Sequence, residues 1–188
     1  ESIPYELDRA FIEATTGRPG PVWLDVPIDV QASLLPETFH LSCGSTSPTL
    51  ASEFRSHEPQ ASDQVIFSIA KKLIASHRPV LYVGAGIRLS DSYDEFIEFM
   101  SQWPIATVTA WNNNDLLWDD HPNYCGRPGS VGNRTGNFAV QFADTVVIIG
   151  SRLNIRQVSY NWSSFADTAW TCHVDIDKAE LDKPTLNT

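Results

Sequence analysis

The 188 residues include 42% hydrophobic side chains, enough for one α/β domain with a good-sized core and a short additional segment. A formal net charge of -10 excludes a broad attraction to phosphate backbones or anionic lipid, so neither nucleic acid nor a membrane surface is an expected partner. Three cysteines, Cys43, Cys125 and Cys172, stand far apart without a CxxC spacing; this argues against a disulfide framework or zinc site and fits a reduced, cytoplasmic setting.

No apolar run approaches the ~20 residues needed to span a bilayer. The opening "ESIPYELDRAF" has neither a basic n-region nor an apolar h-region. It begins at Glu1 rather than at a methionine, so the chain is expected to be a piece of a longer protein.

In chain order, Leu7, Ala10, Phe11 and Ala14 form the stripe of an amphipathic helix, and Gly17 supplies its stop. "PVWLDVPID" predicts a short strand closed by Pro27. Residues 31–61, rich in Ser, Pro, Thr and Glu, predict an extended linker, with the domain proper starting near Ser62.

From there helices and strands alternate. Asp63 to Ser76 reads as a helix and Val80 to Val83 as a strand; Ser92, with Glu95 three residues on, reads as the capping box of another helix. Ile105 to Thr109 is the next strand. A polar loop from Trp111 to Arg134 leads to a helix at Thr135 to Phe142, then to the apolar strand "TVVIIG" and the final strand "WTCHVDID". Such alternation predicts a parallel sheet with helices on both faces, whose ligand site would lie at the carboxyl ends of the strands.

Four stretches could carry chemistry there. "GAGIRL" offers Gly84 and Gly86 but puts Leu89 where a dinucleotide fingerprint needs its third glycine, so a tight turn is the favoured reading. "GRPGSVGNRTGN", with Gly129 and Gly132, either presents amides to an anion at a helix start or is an irregular surface loop. In "GSRLNIR", Gly150 and Ser151 precede Arg152 and Arg156, which could reach one phosphate pair if the backbone turns helical, or could form ordinary ion pairs. Asp175 and Asp177 of "HVDID" could accept from a ribose hydroxyl or cap the following helix. The five histidines have no metal-ligand spacing, and no nucleophile and base stand together.

Taken together, "EATTGRPGPVWLDVPIDVQ", "RPVLYVGAGI", "DHPNYCG", "GSVGNRTGNFAVQFADTVVIIGSRLNIR" and "HVDIDKAEL" resemble, in order, signatures of thiamine-diphosphate enzymes of the acetolactate synthase type. The resemblance implies that residues 1–30 close an N-terminal pyrimidine-binding domain, 31–61 are linker, and 62–188 are a central domain with a six-stranded parallel, nucleotide-binding-like sheet. It implies a full-length acetolactate-synthase-like transferase, a homo-oligomer, whose thiamine diphosphate and Mg2+ are bound by its N- and C-terminal domains.

The family's GDG magnesium motif does not occur here, and Asn112 and Asn113 of "WNNND" lack its glycine-aspartate, so the fragment is expected to be inactive alone, with no catalytic and no metal-binding residue. In the acetolactate synthase branch the central domain also holds FAD. Those positions map onto Gly84, Gly86, the turn Gly129 to Gly132, Gly150, Ser151, Arg152, Arg156, Asp175 and Ile176. The family's GMHG reads "GSVG", with Val131 for histidine, and its GARFDDR reads "GSRLNIR", with Asn154 and Ile155 for two acids. The expected site is therefore a vestigial one, retained in shape without FAD, and the domain is expected to be a scaffold and subunit contact. The alternative is an autonomous FAD or adenine-nucleotide-binding module.

Overall fold

The computed structural model describes residues 3–34 and 61–185, in two compact units, Glu1–Pro59 and Gln60–Thr188. Most of the expected linker lies outside the described residues.

In the first unit, helix α1 (Ile3–Thr15) buries Ile12, whereas Leu7 and Phe11 of the expected stripe are exposed. Gly17 follows with φ 62, the left-handed backbone that ends the helix. The strand expected in "PVWLDVPID" does not form: residues 19–27 have no regular structure, and α2 (Ile28–Gln31) takes up the end of the motif. Pro21 and Pro27 withhold two ladder donors, and the described part of this unit holds no second strand to pair with.

The second unit is built on a parallel sheet of β1 (Pro79–Val83), β2 (Ala106–Thr109), β3 (Tyr124–Gly126), β4 (Thr145–Ile149) and β5 (Trp170–Val174), in the order β3-β2-β1-β4-β5. Helices α3 (Asp63–Ile74), α4 (Gly86–Leu89), α5 (Tyr93–Gln102), α6 (Arg134–Gln141), α7 (Ile155–Val158) and α8 (Lys178–Leu181) connect and flank the strands, with a 3-10 turn at Trp162–Ser164. The described residues thus form a five-stranded sheet, not the six expected, because the residues after β5 turn into α8 rather than into another strand.

Strand alternation splits the core into two layers. Val80, Tyr82, Val146 and Ile148 point to one face, where Val140 of α6, Leu153, Val158 and Ala166 meet them. Leu81, Val83 and Val147 point to the other, against Ile87, Phe96 and Met100 of α4 and α5. Each such fully buried aliphatic side chain contributes about 1.5–3 kcal/mol relative to exposure. The periodicity of two explains why β1 and β4 read as continuous apolar runs: both faces are covered.

Two local signals differ from expectation. Ser92 precedes α5 but makes no side-chain cap; its hydroxyl turns back to the Ser90 carbonyl at 3.3 Å. The capping box forms instead at α7, where the Asn154 side chain accepts from Arg156 N and the Gln157 side chain accepts from Asn154 N. At the opposite end of the sheet the Asp144 carboxylate accepts from the amides of His77 (2.8 Å) and Arg78 (3.0 Å), fixing the entry to β1. Although burial pulls the other way, these donors hold its pKa below the usual carboxylate value.

Tyr82 is fully buried, and its hydroxyl makes no hydrogen bond of good geometry, although Gln157 lies beside it; burial pushes its pKa far up. Removing a buried, unpartnered hydroxyl relieves its desolvation cost. Tyr82→Phe is expected to stabilise the domain by about 1 kcal/mol, measured as a raised urea midpoint at constant m-value.

Candidate functional site at the carboxyl end of the sheet

Strand order reverses direction at β1, with β2 on one side and β4 on the other, so the topological switch point lies between the carboxyl ends of β1 and β4. The turns there are Gly84-Ala85-Gly86 and Gly150-Ser151. They bond to each other and to the sheet: Gly84 N donates to Ile149 O at 3.0 Å, Gly86 N to Gly150 O at 2.9 Å, and Gly150 N to Val174 O at 2.8 Å.

This contact explains all three glycines. A Cβ on Gly84 would lie 2.6 Å from Ser151 Cα, and one on Gly150 would lie 2.5 Å from Gly86 Cα. Gly150 also has φ 58, where side chains other than hydrogen are strained. The half fingerprint is therefore a backbone-to-backbone junction.

The glycine-rich loop closes on itself and on the arginine turn. Asn133 caps α6, its side chain accepting from Gly136 N (3.2 Å) and Arg127 N (3.0 Å). Asn137 grips Gly129 through both polar atoms, accepting from its N at 2.8 Å and donating to its O at 3.2 Å. Ser130 N and Oγ both donate to the Arg156 carbonyl, Gly132 N donates to Gly129 O, and a Cβ on Gly129 would strike the Arg156 carbonyl. The amides expected to face an anion are largely spent within the fold.

The two arginines do not share a helix face. Leu153 stands between them with φ 47, and only Arg156 lies in α7. Arg152 Nε pairs with Glu180 of α8, which is 5% exposed and also pairs with Lys183. Burial raises the Glu180 pKa, but these two cations win and hold it below the ordinary value. Arg156 is exposed, and its guanidinium has no partner among the described residues.

Asp175 accepts from Asp177 N at 3.0 Å, and Asp177 caps α8 by accepting from Ala179 N at 2.9 Å, which is the capping role weighed for this pair. Ile176 is 42% exposed. His173, whose role the sequence did not signal, bonds through Nε2 to the Ser151 carbonyl at 2.9 Å, with Asp175 Oδ2 4.0 Å away. Burial lowers the His173 pKa, only partly offset by Ser151 and Asp175. Ser151 Oγ in turn accepts from Gln157 Nε2 at 3.2 Å. Burial also raises the Cys172 pKa.

The expected residues Gly84, Gly86, Gly150 and Ser151 are thus brought together, with Gly129 and Arg156 joined beside them, while Arg152 and Asp175 are turned to structural partners. A cavity of about 350 Å3 opens between α6 and the 3-10 turn, lined in part by Pro128, Gly129 and Ser130 of the glycine-rich loop. No helix among the described residues is long and apolar enough to cross a membrane, and none of their His, Cys, Asp or Glu side chains form a group of three or more that could hold a metal ion.

The family profile of the thiamine pyrophosphate enzyme central domain matches residues 66–186. This chain belongs to that family. It is 34% identical to the acetolactate synthase isozyme 1 large subunit of Escherichia coli over 97% of this chain and 30% of that protein. It is 33% identical to the acetolactate synthase large subunit of Lactococcus lactis, over 96% of this chain and 30% of that one. A probable acetolactate synthase large subunit of Methanocaldococcus jannaschii is 33% identical over 97% of this chain and 30% of its own length. The chain thus spans less than a third of these relatives, matching them in a region that includes the thiamine pyrophosphate central domain.

Two outcomes follow from the geometry. Gly150→Ala adds both a Cβ clash with Gly86 and a strained φ, so it is expected to cost at least about 2 kcal/mol in urea unfolding. For His173, the folded pKa lies below the unfolded value of 6.5, so the unfolded chain takes up the proton first. Its contribution is complete above that value and is lost as pH falls from there through the folded pKa. His173→Gln is expected to flatten this acid-side loss as pH falls below 6.5, read from urea midpoints at each pH.

Proposed function

We propose that this chain is part of a cytoplasmic, homo-oligomeric 2-oxo acid carboligase or decarboxylase that depends on thiamine diphosphate and Mg2+ and resembles the acetolactate synthase large subunit. Its central domain serves as scaffold and subunit contact, working with N- and C-terminal domains of the same protein. The reading is supported by ordered similarity to acetolactate synthase large subunits over 97% of the chain. When bound, thiamine diphosphate supplies the carbanion chemistry of such enzymes. The 188 residues contain no GDG motif to hold its magnesium, so no step of that chemistry is assigned to them.

The domain keeps the shape of a nucleotide site without the flavin. The observation that carries this is the spending of donors: Gly86 and Gly150 amides on the sheet and each other, Ser130 on Arg156, and Arg152 on Glu180. A pyrophosphate needs backbone amides and guanidinium groups aimed outward. Here those amides and the Arg152 guanidinium are aimed inward, and only the Arg156 guanidinium is left exposed.

The test is the full-length protein. With pyruvate and 2-oxobutyrate it is expected to turn over only when both thiamine diphosphate and Mg2+ are added, and the purified protein is expected to show no flavin absorbance. Absence of turnover with 2-oxo acids overturns the assignment of activity. Bound flavin that survives gel filtration overturns the scaffold reading and favours the nucleotide-binding module.

A further inference from the structure

We draw no further inference here: the strongest candidate, the apolar face of α3 on which Ile66, Phe67 and Ile74 are exposed, is an unpartnered helix face, and nothing in the structure shows what covers it.

Discussion

The close approach of two turns, with Gly86 N bonded to Gly150 O, is the constraint from which the rest of the carboxyl end follows. With those backbones in contact, Ser151 is fixed over β5, where its carbonyl takes His173 and its hydroxyl takes Gln157. Gln157 closes the capping box with Asn154, which sets the first turn of α7 and so places the Arg156 carbonyl. That carbonyl receives Ser130, and Asn137 holds Gly129 behind it. The glycine-rich loop and the arginine turn are thus one hydrogen-bonded body hung from a glycine junction.

Strands with both faces buried were legible because burial leaves a continuous apolar run, as in Val80 to Val83 and Thr145 to Ile149. β3 was not, since Tyr124 to Gly126 is three residues at a sheet edge, too short for any periodicity. "PVWLDVPID" erred in the other direction: its composition suits a strand, but a strand exists only as a pair, and propensity does not supply the partner. The two capping motifs make the same point. Ser92 and Glu95 have the right spacing, yet the box formed at Asn154 and Gln157, where the backbone before the helix is extended (φ -69, ψ 171) rather than near-helical (φ -102, ψ 27).

The candidate site was legible in its residues and not in their use. Glycine permits a close approach without saying what approaches: a phosphate and a second backbone ask the same of Gly84 and Gly86. The deciding quantity is the distance to Gly150 and Ser151, sixty-odd residues away in sequence and in contact in space. Spacing failed for the arginines for a local reason, because Leu153 at φ 47 breaks the helical register that would align them. Asp177 could be assigned to capping from "DKAEL" alone, whereas the burial of Glu180 and its two cations required the tertiary structure.

Electrostatics at α8 shows why an arginine beside a glycine turn does not by itself make an anion site. Glu180 is 5% exposed, and a buried carboxylate stays ionised only while Arg152 and Lys183 remain with it. An incoming anion that drew Arg152 away would cost that carboxylate one of its cations, so its binding energy is reduced by what the existing pair loses. The net charge of -10 adds a general opposition to the same event.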